Sequence, residues 1–432
     1  MKVAVIGAGY LGTTHAICMA SLGHEVIAVD VDEKRVELLH SGKLPFYEPG
    51  LPELLEKVRA TGLIHFTTEF SAIAECELIF ICVGTPQKQG ALEADLSALD
   101  SAFAAAVNFI SKGAVIVGKS TVPVGTAEKL AQSLHITSPG ARLNWNPEFL
   151  REGHAIADTL APNRIVIGAD SVHDAKKLSD FYRDAAPDVP QFITNFPTAE
   201  LVKVAANAFL ATKISFINAM SEVADATGAD VALLADAIGA DDRIGRKFLG
   251  AGIGFGGGCL PKDIRAFLAR GEELGLSDSL AFLKEFDLIN QRTRTRAVAL
   301  ALEELGSVKG KKVAILGVAF KPESDDVRDS PALEIAQMLA SLGANVFVHD
   351  PKALESAAAK APDLHYCQSI EDLLRGADLT MHLTEWREYR ELEPERLRSL
   401  VNSATIFDGR NALDSNAWRL AGWKVRALGR TL

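Results

Sequence analysis

Lys2-Val-Ala-Val-Ile-Gly-Ala-Gly-Tyr-Leu-Gly12 is an apolar, β-branched run that passes without a break into three glycines. The run reads as a buried strand that leads straight into a turn and a helix. Gly7 makes the turn, Gly9 lets a pyrophosphate approach the backbone, and Gly12 lets the helix pack on the sheet. Tyr10 and Leu11 complete the turn, and the helix N-terminus faces the phosphates. The next strand, 25–29, ends in Asp30, which can accept the adenosine ribose hydroxyls and so favours NAD over NADP. Lys34 and Arg35 nearby keep NADP as the alternative. A glycine triplet alone is a weak signal; strand, turn, helix, second strand and acid together predict a doubly wound, dinucleotide-binding sheet.

The same pattern begins again far along the chain. A strand at 312–316 runs into Gly317, and a second at 345–348 is followed by His349 and Asp350. This predicts a second α/β unit, but Gly317-Val-Ala-Phe-Lys321 lacks the three-glycine turn. Lys321 and Arg328 stand where the first unit presents glycines, so side-chain cations are expected to hold phosphate here. Further strands fall at 379–384 and 405–407, and Arg410 leaves the end of the second.

Within the first unit, strands at 78–83 and 114–117 deliver Gly84-Thr85-Pro86 and Lys119-Ser-Thr121-Val-Pro123 to the carboxyl edge of the sheet, where such sheets bind ligands. Gly113-Ala-Val-Ile-Val-Gly-Lys-Ser120 fits the letters of a phosphate-binding P-loop. Its apolar middle is the strand itself, so that reading is rejected. Asn144–Gly153 follows another short strand and carries Glu148, Arg151 and Glu152. Charges on a loop are commonly solvated; the sheet-end position makes Glu148 and Glu152 candidates. Strands at 164–168 and 191–194 close this domain near residue 196.

From Thr198 to about Gly228 the periodicity is helical, with Pro197 before it and Gly228 ending it. Such a length predicts a spine joining two domains, and its alanines permit close packing with a second subunit. Lys203 and Asn207, four apart, share one face. They are either a solvated stripe or a cation and amide aimed at a reacting oxygen. Further helices run from about 262 to 305.

Gly254-Phe-Gly-Gly-Gly-Cys259-Leu-Pro-Lys262-Asp263 puts a thiol, a cation and a carboxylate on one glycine-rich loop. A nearby cation favours the thiolate, which makes Lys262 a candidate activator of Cys259. The plain alternative is a turn followed by a small buried cysteine. The glycines show no packing task in the sequence, which favours Cys259 as a nucleophile.

Composition bounds the rest. A chain of 432 residues exceeds one ordinary core, so two or three domains are expected. A net charge of −11 and a pI near 5.5 argue against nucleic-acid or acidic-membrane partners and require any phosphate site to gather cations locally. Five scattered cysteines, a strand beginning at residue 2 and no long apolar run predict a cytoplasmic protein without signal peptide or membrane span. No metal site is expected.

These residues together resemble the UDP-glucose/GDP-mannose dehydrogenase family over essentially the whole chain. The matching motifs are the N-terminal fingerprint, Val83–Pro86, Lys119–Pro123, Asn146–Leu150, Ala205–Phe209, the cysteine loop, Phe320–Pro322 and Asp325–Pro331. Asp242–Gly245 with Lys247–Leu249 is similar to the UDP-glucose branch. Gly258 and Val204 depart from the family pattern. The resemblance implies an α/β protein with two Rossmann-like doubly wound sheets joined by a long central helix and a helical middle segment. The implied domains are 1–196 for NAD, 197–305 for dimerisation and catalysis, and 306–432 for the UDP-sugar. It implies a four-electron oxidation of the sugar C6 with two NAD⁺, through a thiohemiacetal and a thioester on Cys259.

Carried over position by position, Lys203 and Asn207 stabilise oxygen charge, with Lys203 also aiding proton removal. Asp263 and Thr121 position water, and Glu148 is the base in hydrolysis. Beyond the glycine turn with Tyr10 and Leu11, the NAD contacts are Asp30, Arg35, Thr85, Thr121, Glu152, Lys262 and Arg328. The UDP-sugar contacts are Glu148, Phe149, Leu150, Lys203, Asn207, Arg243, Phe255, Gly256, Phe320, Lys321 and Arg410, with Arg243 reaching a neighbouring subunit of a homodimer. The alternatives are the same chemistry on GDP-mannose or UDP-N-acetylmannosamine, a two-electron dehydrogenase with a structural Cys259, or a non-catalytic nucleotide sensor.

Overall fold

In the computed structural model, which describes residues 1–430, Val3 and Val5 of the opening run pack into the core on one face of a sheet. Ala4 and Ile6 pack on the other, as the two-residue period of a strand requires. Both faces are therefore covered, which suits a parallel sheet. Its strands are β1 (Lys2–Ile6), β2 (Glu25–Val29), β3 (Ile64–Thr67), β4 (Leu78–Ile81), β5 (Val115–Gly118), β6 (Arg142–Trp145), β7 (Ile165–Gly168) and β8 (Gln191–Thr194). They lie in the order β3-β2-β1-β4-β5-β6-β7-β8. Only β7 against β6 is antiparallel; the other pairs are parallel. β5 occupies the middle of the P-loop look-alike, so that stretch is a strand.

The second sheet comprises β9 (Lys312–Leu316), β10 (Asn345–His349), β11 (His365–Tyr366), β12 (Leu379–His382), β13 (Thr405–Asp408) and β14 (Lys424–Ala427). Its order, β11-β10-β9-β12-β13-β14, repeats that of the first six strands of the first sheet, and all its pairs are parallel. The strand order reverses beside β1 in one sheet and beside β9 in the other, which fixes the carboxyl ends of β1/β4 and β9/β12 as ligand-binding crevices.

The helical pattern expected from Thr198 forms one helix, Phe196–Thr227, of 32 residues. Pro197 fits its first turn, where the missing N–H has no partner to lose, and Gly228 follows it with φ +76°. The expected helices between 262 and 305 are Leu260–Glu273 and Ser277–Leu305. The chain forms two compact units. One is Met1–Ala206 with Arg265–Gly275, and the other is Asn207–Ile264 with the remainder of the described chain. The division falls inside the long helix, after Ala206. Among the described residues, no helix is long and apolar enough to cross a membrane.

Candidate active site

In the first unit the glycine turn is built by close approach. A Cβ on Gly12 would lie 1.8 Å from the Gly7 carbonyl oxygen, whereas one on Gly9 would meet nothing within 4 Å. Gly12 thus lets the helix sit on the turn, and the space above Gly9 is open to a ligand. The helix Tyr10–Ser21 starts there without a side-chain cap, leaving its first N–H groups for an anion. Asp30 is 6% exposed and accepts hydrogen bonds from the Ala8 N–H at 2.6 Å, the Asp32 N–H at 2.9 Å and Arg35 Nη1 at 2.9 Å. The turn, the helix start and the acid fit a dinucleotide, and Arg35 and Asp30 form one ion pair.

Sequence reasoning missed Glu48, which is buried. Its carboxylate accepts the Tyr10 hydroxyl and the N–H groups of Gly153 at 2.6 Å and Ala155 at 2.8 Å. Burial, reinforced by Glu48, pushes the Tyr10 phenol far above its ordinary pKa. Glu48 therefore ties the fingerprint to the loop that carries half-buried Glu152. The only signal was an acid among Phe46, Tyr47 and Pro49.

The loops after β4 and β5 are laced together. Thr85 Oγ1 donates to the Thr121 carbonyl at 2.7 Å, and Ser120 Oγ donates to the Val83 carbonyl at 2.7 Å. Glu148 Oε1 accepts the N–H groups of Phe149 at 2.5 Å and Leu150 at 2.7 Å, and its Oε2 lies 3.3 Å from Lys119 Nζ. Lys119 is buried and also donates to Asn146 Oδ1 at 2.9 Å. Burial alone would lower the ammonium pKa, but the Tyr182 oxygen and Glu148 outweigh it and raise the value. Lys119, quoted in the sequence only as part of a motif, is thus the counter-ion of a candidate base. Lys203, 8% exposed, places Nζ 5.3 Å from the centre of the Phe149 ring, so two expected substrate residues meet.

In the second unit Cys259 is exposed and immediately precedes the helix Leu260–Glu273. Its carbonyl accepts the Asp263 N–H at 3.0 Å, the first bond of that helix. The sulfur therefore rides at the positive end of a helix, a favourable place for an anion. Asp263 is 3% exposed and is bracketed by Asn207 Nδ2 at 2.7 Å and Lys262 Nζ at 2.5 Å. The ammonium expected beside the thiol is thus engaged by Asp263.

The glycines of the cysteine loop do have a packing task, contrary to expectation. A Cβ on Gly254, Gly256, Gly257 or Gly258 would come within 3 Å of, respectively, Asn290 Oδ1, the Asp329 carbonyl, the Phe320 ring or the Arg328 guanidinium. Such close packing is visible only once distant segments are folded against the loop. Phe255 is held by reciprocal bonds with Asn290, at 2.8 and 3.0 Å. The Gly257 N–H donates to the Arg328 carbonyl at 2.8 Å, which links the loop to that expected NAD contact. Arg328 also pairs with Asp326, and Lys321 Nζ lies 5.4 Å from the Phe320 ring. Arg243 is exposed and pairs with Asp241. Arg410 donates through Nε to Leu383 O at 2.7 Å, through Nη1 to Gly254 O at 2.8 Å and through Nη2 to Phe320 O at 3.1 Å. A further pair escaped notice in the sequence: His382 Nδ1 meets Asp408 Oδ1 at 2.9 Å, both side chains buried. Among the described residues, no group of three or more His, Cys, Asp or Glu could hold a metal ion.

Comparison with known proteins matches three consecutive domains of one family. Residues 1–186 match the UDP-glucose/GDP-mannose dehydrogenase family NAD binding domain, 197–292 its central domain and 314–415 its UDP binding domain. The chain is 41% identical to the UDP-glucose 6-dehydrogenase TuaD of Bacillus subtilis (strain 168) over 99% of this chain and 93% of that one. It is 38% identical to the UDP-glucose 6-dehydrogenase of Rhizobium meliloti (strain 1021) over all of both chains. Among solved structures it is similar to a UDP-glucose dehydrogenase from the archaeon Pyrobaculum islandicum, with a TM-score of 0.90 and 37% identity, covering 100% and 98% of the two chains.

Proposed function

Because the chain belongs to the UDP-glucose/GDP-mannose dehydrogenase family, we propose that it oxidises UDP-glucose to UDP-glucuronate, with Cys259 as the covalent nucleophile. The observation that carries this reading is the exposed thiol at the start of a helix whose first turn holds the bracketed Asp263. NAD⁺, held at the Gly7–Gly12 turn, Asp30, Arg35, Thr85, Thr121 and Glu152, with contacts from Lys262 and Arg328, supplies the electron acceptor and is consumed twice per sugar.

The remaining steps belong to the protein. Lys203 and Asn207 stabilise the charge on the C6 oxygen as the alcohol becomes an aldehyde, and Lys203 helps remove the hydroxyl proton. Cys259 Sγ bonds to the aldehyde carbon, and the resulting thiohemiacetal loses two more electrons to become a thioester. Thr121 and Asp263 position a water, Glu148 takes its proton, and attack on the thioester carbon releases the carboxylate and regenerates the thiol. Covalent capture keeps the aldehyde from escaping. Phe149, Leu150, Phe255, Gly256, Phe320, Lys321 and Arg410 surround the UDP-sugar.

UDP-glucose is preferred over GDP-mannose and UDP-N-acetylmannosamine because the full-length relatives at 38–41% identity are named UDP-glucose 6-dehydrogenases. The protein acts as a homodimer. Phe209, Phe216 and Val223 are 65%, 43% and 52% exposed at seven-residue intervals on the long helix, an apolar stripe suited to a second copy. Exposed Arg243 is the residue that reaches the neighbour's site. Few and scattered cysteines suit a reducing cytoplasm.

Incubation with UDP-glucose and excess NAD⁺ tests the proposal. Two NADH per sugar are expected, with a quenched adduct on the Cys259 peptide; one NADH per sugar, or undiminished acid formation by Cys259→Ser, overturns it. A sugar-nucleotide panel checks the substrate.

A further inference from the structure

The two oxygens of Glu148 are not equivalent. Oε1 takes the N–H groups of Phe149 at 2.5 Å and Leu150 at 2.7 Å, so both of its lone pairs are spent on its own loop. Among the described residues, Oε2 has one charged neighbour, Lys119 Nζ at 3.3 Å. The Glu148 side chain is 18% exposed and that of Lys119 is 5% exposed. The contact thus joins a carboxylate at the edge of the site to a cation sunk beneath it.

The sheet sets where that cation sits. Lys119 directly follows β5 and its N–H donates to Ile81 O at 3.0 Å; Asn146 directly follows β6 and its N–H donates to Gly118 O at 2.8 Å. From these neighbouring strand ends, Lys119 Nζ donates to Asn146 Oδ1 at 2.9 Å. The Tyr182 hydroxyl, on the helix Val172–Ala185, donates to the same oxygen at 2.6 Å and accepts from Lys119 at 3.3 Å. Asn146 Nδ2 donates to Val166 O at 2.9 Å, which fixes the amide in turn. A buried ammonium needs a counter-charge. Burial raises the pKa of the Tyr182 phenol and pushes the Cys82 thiol up to about 12, while burial and Lys119 together hold His15 well below its usual value. These three neighbours are uncharged at neutral pH, which leaves Glu148.

We propose that Lys119 is a positioning residue for the last chemical step: it holds Glu148 Oε2 as the atom that takes a proton from the water attacking the thioester. The inference rests on the covalent route through Cys259 with Glu148 as base. In that step the water oxygen bonds to the thioester carbon and one water proton passes to Oε2. The carbon–sulfur bond breaks with its electron pair left on sulfur, which takes the second proton as the carboxylate forms. The two hydride transfers draw nothing from Oε2, so hydrolysis alone depends on the Lys119 contact.

The test follows the decay of the Cys259 adduct in full-length protein given limiting UDP-glucose and excess NAD⁺, by acid quench and peptide mass spectrometry. Lys119→Met replaces the buried cation with an apolar chain of similar length and leaves the Tyr182–Asn146 bond in place, a kind of exchange that folds commonly tolerate. Adduct decay is expected to slow about tenfold or more, short of the ~10²- to 10⁴-fold loss of a general base outright. The kcat/KM for UDP-glucose should stay within about threefold, because the adduct forms before the affected step. Hydroxylamine, which attacks a thioester without a base, should restore adduct turnover in the variant and release the hydroxamate. Tyr182→Phe removes the hydroxyl that shares Asn146 with Lys119. It is expected to slow decay to a lesser degree, and it carries the test if Lys119→Met does not fold. Unchanged decay in the folded variants overturns the inference, as does a kcat/KM that falls as far as the decay rate. Glu148→Gln separates the two readings: slow decay there beside normal decay in Lys119→Met refutes the role of Lys119 alone. Normal decay in Glu148→Gln, or a wild-type protein that forms no adduct, refutes the proposed hydrolysis and this inference with it.

Discussion

The two sheets begin alike and diverge within a few residues. Gly7 and Gly317 have φ of +93° and +91°, and their N–H groups donate to Val29 O and His349 O at 2.8 Å each. An aspartate follows the second strand in both, Asp30 and Asp350. In the first sheet the helix starts at Tyr10; in the second it starts at Pro331, after a loop carrying Lys321 and Arg328. The acids differ in what they hold. Asp30 takes the Ala8 and Asp32 N–H groups and Arg35. Asp350 takes the N–H groups of Val318, Ala319, Lys352 and Ala353, and Trp386 Nε1. The second turn is thus satisfied internally, with its amides pointing at its own acid. One strand order therefore ends in two different crevices: a bare helix start in the first sheet, and charged side chains on an inserted loop in the second.

The largest effect should come from breaking the first turn. Gly12→Ala puts a Cβ 1.8 Å from backbone that cannot move independently. It is expected to destabilise by about 3 kcal/mol or more, the upper end for overpacking. Gly9→Ala meets open space and should cost under about 1 kcal/mol. Its methyl group nevertheless occupies the approach to the backbone, so NAD⁺ affinity should fall about tenfold or more, ~1.4 kcal/mol. Denaturant unfolding and calorimetric titration separate the two. Equal loss of stability in both would refute the division between a packing glycine and a binding glycine.

Exchanging the acids for amides sharpens the comparison at the next scale. Asp350→Asn keeps one acceptor oxygen for a site that satisfies four backbone N–H groups and Trp386 Nε1. A loss of about 2–3 kcal/mol with unchanged NAD⁺ affinity is expected, since buried donors are left unpaired. Asp30→Asn should lose about 1 kcal/mol of stability and weaken NAD⁺ more than Asp350→Asn does. A stronger cofactor effect at Asp350 would mean that the second turn, too, faces a dinucleotide.

The parts legible in the sequence were those governed by neighbours along the chain. Strand β1, the glycine turn, Asp30 and the second α/β unit all declare themselves within about thirty residues, the span of one βαβ repeat. The family motifs named most of the candidate site residues. What escaped was set by distant contacts. Glu48 meets Gly153 and Ala155, more than a hundred residues away. The engagement of Lys262 by Asp263 could not be told from an approach to Cys259, because one lysine side chain reaches either. The packing task of the loop glycines depends on Asn290, Phe320, Arg328 and Asp329. The carbonyls that Arg410 meets come from three segments, which no local pattern encodes.

The smallest effect concerns pH and the row of residues closing the two crevices. In the first sheet the register-paired row reads Ile6, Ile81, Gly118 and Trp145; in the second it reads Leu316, His382, Asp408 and Ala427. One row is without a titrating group and the other holds a buried pair. Burial pushes the Asp408 pKa up, but His382 and the N–H groups of Leu413 and Arg410 outweigh it and leave the value depressed. A carboxyl whose folded pKa lies below its unfolded value contributes stability fully above about pH 4, the ordinary aspartate range. That contribution is lost as pH falls through the folded value. Hydrogen exchange should therefore show protection at Ile406 and Phe407 falling below pH 4, and His382→Asn, which removes the largest cause of the depression, should make that fall smaller. Protection at Ile116 and Val117 should not respond to that substitution. An equal response in both sheets would show that the pair acts on global unfolding and not on the end of β13.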